Sequence, residues 1–428
     1  MQACCNATSR LSREIVVRNA TFDTDEDFSS NACVGNNGWV DHATYSDGFD
    51  DAVIALCDTV FKGGAADTLI YPIVFCARHR IELFIKSQLR RIGHIKDGIS
   101  IPDGKITKTH DLKVLWLLFK DMTRQCDRRY GELVDKCEPV VMDFFAMDPK
   151  GETFRYPYSK DGVKHLTEQS IIGLRRFIGA YGGITELMGN IEILSGLLYN
   201  EYSTKTYTKK LSRSDIEEVA KSLPLRSAWR DVEGSFDLVR QQNLTRYNIG
   251  SRAYSEVLNV IQSHREFSGY IGSDNSISHC DSEKLNELFL LRTDLNKWSH
   301  NVKDMLSPEF LNSRAKYATY INDNFSNEEL ATMLALYELG SSYDYYSERY
   351  DELYLENLKD VHYSRSTEVN YLVTKGGVED RVRIALKKMS QVNILSKLTL
   401  VEKAAPSEVL AVDVMSDLIS PETSQPSP

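Results

Sequence analysis

Residues 78–86 read Arg-His-Arg-Ile-Glu-Leu-Phe-Ile-Lys, and residues 109–112 read Thr-His-Asp-Leu. On a helix at about 100° per residue, His79, Glu82 and Lys86 fall within an arc of about 60°, with Arg78 beside them. Two chemistries fit such a set. A cationic cluster around one carboxylate can hold a phosphate. A histidine at the start of a helix, as predicted for His110, tends to stay neutral and so suits a proton acceptor. The bland alternatives are a solvated helix face with ordinary i,i+4 ion pairs, and a His110 left exposed beside the capping residue Thr109.

The elements that must position these residues are helices. Apolar residues recur at helical spacing over 46–61, 67–93, 110–124 and 129–145, and again over 166–202, where Gly182-Gly183 predicts a bend or a close helix contact. Pro72 is expected in the first turn of its helix, where proline is tolerated. The helix carrying Arg78 is apolar on its other sides, which places it centrally in a bundle. Residues 147–162, with Asp148-Pro149, Tyr156-Pro157 and Asp161-Gly162, read as an extended loop. A short strand-like piece lies at 14–18, and a basic connector at 204–211 separates the two halves.

The second half reads as further helices. A capping box at Ser214-Asp215-Ile216-Glu217 opens one, Pro224 stops it, and His264-Arg265-Glu266 reads as solvated charge. Residues 322–360 hold ten acids against two bases and several tyrosines, with Gly340 expected to separate two helices. A helix with Arg381, Arg383, Lys387 and Lys388 follows. It is expected to meet that acidic segment, which is also a candidate docking site for a protein partner. From 404 to 428 the composition predicts disorder.

Composition narrows the classes. The chain has 428 residues, a net charge of −10 and 26% charged residues. That length suggests about two to three domains. The negative balance argues against a broad duplex-DNA surface. No run approaches the roughly 18 apolar residues of a membrane span, and the N-terminus lacks a secretory core. The default expectation is a cytoplasmic protein that does not engage membranes. Eight cysteines occur without a Cys-x-x-Cys spacing, so Cys57 and Cys76 are expected as core residues. Phosphate-loop, dinucleotide, zinc-protease and nucleophile-elbow signatures are absent, and neither metal nor cofactor is expected.

The motifs at 78–86 and 109–112, followed by Phe-Arg-Tyr-Pro at 154–157, resemble the HEPN superfamily of prokaryotic helical domains. The resemblance covers about residues 45–202. It implies a four- or five-helix bundle that often dimerises, with links to toxin, anti-phage or RNA-processing systems. Many such proteins cut RNA without metal, using an arginine followed after four to six residues by a histidine. No arginine here has a histidine at that spacing. A ribonuclease would therefore need a non-standard site, with Arg155 or Arg78 neutralising phosphate, His110 taking the 2′-hydroxyl proton, and Glu82 and Lys86 in support. The set Arg78, His79 and Lys86 could alternatively bind RNA or a nucleotide without cutting. The rival expectation is a non-catalytic scaffold or sensor subunit that dimerises and holds a partner.

The resulting expectation is an all-α protein. An irregular extension (1–44) precedes a helical bundle (45–203), a second all-helical region (211–400) and a disordered tail (404–428).

Overall fold

The computed structural model describes residues 21–35, 37, 41–99, 108–230, 234–273, 275–296, 307–342 and 346–398. The protein is all-α. Among the described residues the one β feature is an isolated bridge between Tyr158 and Lys164. The strand-like piece at 14–18 and the tail at 404–428 lie outside the described residues. No described helix is long and apolar enough to cross a membrane. The chain forms two compact units, Met1–Tyr199 and Asn200–Pro428.

Unit 1 is built from α1 (His42–Phe61), α2 (Ala66–Ile95), α3 (Leu112–Cys126), α4 (Tyr130–Met147) and most of α5 (Leu174–Ser203). Helix α2 is its axis. Ile73, Ala77, Ile81, Ile85, Leu89 and Ile92 are wholly buried, and Phe84 and Gln88 almost so. A helix that buries side chains around its circumference must have neighbours on every side, as its sequence suggested. Pro72 lies in the second turn rather than the first, because α2 starts at Ala66. A buried relay ties α2 to α4 and α5: the hydroxyls of Tyr130 and Ser195 are 2.8 Å apart, and Ser195 donates to Gln88 at 2.8 Å.

Several local expectations are corrected. Helix α3 is capped by Asp111, whose carboxylate accepts from the Val114 amide at 3.0 Å; Thr109 instead accepts from the Asp111 amide. The helix predicted from 166 begins only at Leu174 and runs through Gly182-Gly183 as one helix. A side chain at either glycine would meet open space, so these glycines mark no tight helix contact. Cys57, Cys76, Cys126 and Cys137 are free and buried, and burial raises the thiol pKa of the last two to about 12.

Unit 2 holds α6 (Arg213–Ser222), α7 (Ser235–Tyr247), α8 (Ser251–Ser263), α9 (Arg265–Tyr270), α10 (Ser282–Asn296), α11 (Pro308–Asn324), α12 (Asn327–Ser341), α13 (Arg349–Thr374), α14 (Val378–Lys388) and α15 (Val392–Lys397). It has two apolar clusters, one drawn from residues 211–271 and one from 277–398. The capping box of α6 is formed by Ser212 with Asp215, two residues earlier than predicted. His264 separates α8 from α9 and caps α9 with its own ring nitrogen. Two helices part at Gly340 and its two serines, as expected: Gly340 lies in the last turn of α12, Ser342 caps that helix, and α13 begins at Arg349. A side chain at Gly340 would run into the Arg381 carbonyl, so glycine permits the close crossing of α12 and α14.

The basic helix does pack against the end of α12, where it donates to backbone carbonyls. Lys388 donates to the Leu339 and Ser342 carbonyls at 3.0 and 3.2 Å, and Arg381 to the Gly340 carbonyl at 3.3 Å. Cations there favour the negative end of the α12 dipole. The acids of 322–360 find other partners: Glu348 with Arg213, Asp351 with Arg265, and Glu352 and Glu356 with Arg349. Tyr343 and Tyr345 lie outside the described residues.

Candidate functional site

Arg78, Glu82 and Lys86 stack at i,i+4 along α2, and all three are buried rather than solvated, with 2%, 1% and 5% exposure. Arg78 is the organiser. Its Nη1 donates to Glu82 at 3.0 Å, Nε to the Asp148 carbonyl at 2.8 Å, and Nη2 to the His110 carbonyl at 2.6 Å and the Pro149 carbonyl at 3.4 Å. One planar guanidinium thereby pins the end of α4 and the approach to α3 onto α2. Gly151 makes room for it. Its φ is +76°, and an added Cβ would sit 3.0 Å from Arg78 Nη1. Asp148 tightens the same turn by accepting from the amides of Glu152 and Thr153 at 2.9 and 3.1 Å.

Glu82 is the charge centre. Its Oε1 accepts from Lys86 Nζ at 2.8 Å and lies 2.8 Å from His110 Nδ1. Burial on its own would raise its pKa. The hydrogen bond and charge of Lys86, then the hydrogen bonds from His110 and Arg78, overcome that and hold it below the ordinary carboxylate value. An ionised carboxylate only accepts, so His110 must donate from Nδ1, and in the neutral ring Nε2 then carries the lone pair. The imidazole is 64% exposed while the carboxylate holding it is 1% exposed. This is the geometry of a proton acceptor oriented from beneath by a fixed anion.

The other two predicted residues are placed differently. His79 does not join the network. Its ring packs against Phe49 at 4.6 Å and Phe75 at 5.8 Å, and burial is the main cause of its lowered pKa. Its arc position faces α1, so it serves the α1–α2 contact. Arg155 is exposed, with its guanidinium 5.5 Å from the centre of the Phe75 ring and 5.2 Å from that of Tyr156, whose hydroxyl accepts from it at 3.2 Å. Among the described residues it makes no hydrogen bond to Glu82 or His110.

The sequence reading missed three contributors. Asp148 reads only as loop punctuation, Gly151 is unmarked within the same loop, and nothing local marks either as a partner of a residue some seventy positions earlier. Arg90 carries no sequence signal, yet its Nη1 lies 3.2 Å from Nδ1 of His42, at the start of α1. Among the described residues no group of His, Cys, Asp and Glu could hold a metal ion.

Unit 2 contains a second buried charge cluster, which takes in His264 and Glu266 of the run expected to be solvated. Arg213 Nε donates to Glu348 Oε1 at 2.8 Å, and Nη2 to Glu266 at 2.5 Å and Glu348 Oε2 at 2.8 Å. The guanidinium also lies 4.9 Å from the ring centres of both Phe267 and Tyr346. His264 Nε2 adds a contact to Glu348 at 3.0 Å. Every side chain here is engaged by another within the cluster, which marks a structural clamp rather than an open site. Comparison of the chain with family models, curated proteins and solved structures finds no match.

Proposed function

We propose that the N-terminal bundle is a HEPN-like module acting on RNA or a nucleotide, in a cytoplasmic protein of a prokaryotic anti-phage defence or toxin system. Its chemistry would be metal-independent RNA cleavage at a non-standard site. The observation that carries this reading is the 2.8 Å contact between buried Glu82 and the exposed His110 imidazole. His110 Nε2 takes the proton of an RNA 2′-hydroxyl. The 2′-oxygen attacks phosphorus and the 5′-oxygen departs, leaving a 2′,3′-cyclic phosphate and a 5′-hydroxyl. The proton held on Nε2 returns to the departing oxygen. Glu82 stabilises the imidazolium between these steps, and Arg155 supplies positive charge to the crowded phosphate.

A second reading rests on Arg78, which joins three backbone carbonyls and Glu82. Those contacts favour a non-catalytic scaffold or sensor subunit in which the network only locks helices together. One experiment separates the two. With a labelled oligoribonucleotide and excess chelator, wild type should cleave and His110→Ala should lose about 100-fold or more in rate. Its thermal midpoint should stay near wild type, because the imidazole is largely exposed. Wild type that neither cuts nor binds RNA would leave the scaffold reading in place.

A further inference from the structure

Resting on the RNA-directed reading, we infer that the ligand is a single strand laid along α2 across three stations, Arg155, His110 and the Arg90–His42 pair. A single nucleotide could not span them. The first support is placement. Phe75, which carries Arg155, and Glu82, which carries His110, share one face of α2 with Lys86 and Arg90, all within an arc of about 80°. Along the axis, Glu82 lies about 10 Å from Phe75 and about 12 Å from Arg90. The exposed imidazole is thus flanked on both sides by an arginine, and the outer two stations are carried about 22 Å apart along the axis, farther than a single nucleotide reaches.

The second support is charge. Arg78 and Lys86 already meet Glu82, so their charges are matched inside the protein. Arg90 and Arg155 differ. Among the described residues neither meets a carboxylate. The side-chain partner of Arg90 is an imidazole nitrogen, and those of Arg155 are aromatic faces and a phenol. A guanidinium only donates, so His42 Nδ1 is the acceptor, and that contact leaves the positive charge of Arg90 unneutralised. In this negatively charged chain, two acid-free arginines on one helix face call for an external polyanion. Tyr156 is 51% exposed beside Arg155 and offers a ring on which a base can stack.

The test uses the full-length protein and fluorescence anisotropy with a labelled twelve-residue oligouridylate between 50 and 200 mM salt, uridine monophosphate serving as competitor. Arg90→Ala and Arg155→Ala should each weaken binding about three- to tenfold. Each should also reduce the slope of log affinity against log salt by about 0.7, as for one lost phosphate contact on a single strand. The double variant should show the product of the two effects, since the stations are far apart. Lys136→Ala, which removes an exposed cation on α4 paired with Glu132, should change nothing. The monophosphate should compete only at far higher concentration than the oligonucleotide. Oligonucleotide binding with unchanged affinity and slope in both arginine variants would overturn the three-station track while leaving the RNA-directed reading intact. So would a monophosphate that binds as tightly as the oligonucleotide. No binding by wild type would overturn both.

Discussion

Arg213→Ala is expected to destabilise unit 2 by roughly 3–5 kcal/mol, the cost of removing one partner from a buried ion network. The Arg213 side chain is 3% exposed, and its three nitrogens reach Glu217, Glu266 and Glu348. Truncation strips Glu266 and Glu348 of this cation in a largely buried site, while Glu217 keeps Lys221. It also removes the stacking on Phe267 and Tyr346. The position matters beyond its own energy. Arg213, His264 and Glu266 belong to the helices of the 211–271 cluster, whereas Glu348 leads into α13 of the 277–398 cluster. Calorimetry should therefore show an earlier and less cooperative transition for the variant. An unchanged melting curve would mean the clamp carries no net stability.

The effect should depend on pH, with a definite sign. Burial alone would raise the Glu348 pKa, but the hydrogen bonds from His264 and Arg213 and the Arg213 charge hold it well below the carboxylate range. A depressed folded-state pKa contributes stability that is present above the unfolded value and lost as pH falls through the folded one. Glu266 opposes this, since burial is the largest cause of its shift and raises it. Its contribution is present below the unfolded value and lost as pH rises through the folded one. The deeper Glu348 well should dominate. The gap between wild type and Arg213→Ala should be widest near neutrality and shrink as pH falls below about 4.

Arg78→Ala should have a comparable effect in unit 1, again about 3–5 kcal/mol. It strands Glu82 with one cation fewer and leaves the carbonyls of His110, Asp148 and Pro149 without their shared donor. Arg78→Lys should recover only part of the loss, because a single ammonium cannot reproduce the fork that meets three carbonyls and a carboxylate. Thermal or denaturant unfolding reads both. Full recovery by lysine would show that charge alone matters and that the fork geometry does not.

The contrast between what was legible in the sequence and what was not has a physical pattern. Helical spacing located α2 and its face of Arg78, Glu82 and Lys86, because periodicity depends only on neighbours along the chain. Whether that face was wet could not be read the same way. Its burial depends on Asp148 and Pro149, about seventy residues away, and on a glycine at 151 that lets the backbone approach. His79 shares the arc but belongs to the α1 contact, since its fate turns on Phe49 across the helix pair. His264 and Glu266 look like solvated charge until Glu348 arrives from over eighty residues later. Gly340 reads only as a helix end, because its tight crossing with Arg381 leaves no mark near it in sequence. Caps were misplaced by two residues, at Asp111 and Ser212, where several adjacent residues could each serve.

The account depends most on how His110 is held. Nitrogen-15 NMR of histidine-labelled protein above neutral pH tests this directly. The prediction is a neutral His110 with its proton on Nδ1, shifted downfield by Glu82, and a bare Nε2, a pattern lost in Glu82→Gln. A His110 that carries its proton on Nε2, or that averages between tautomers identically in wild type and Glu82→Gln, would contradict it.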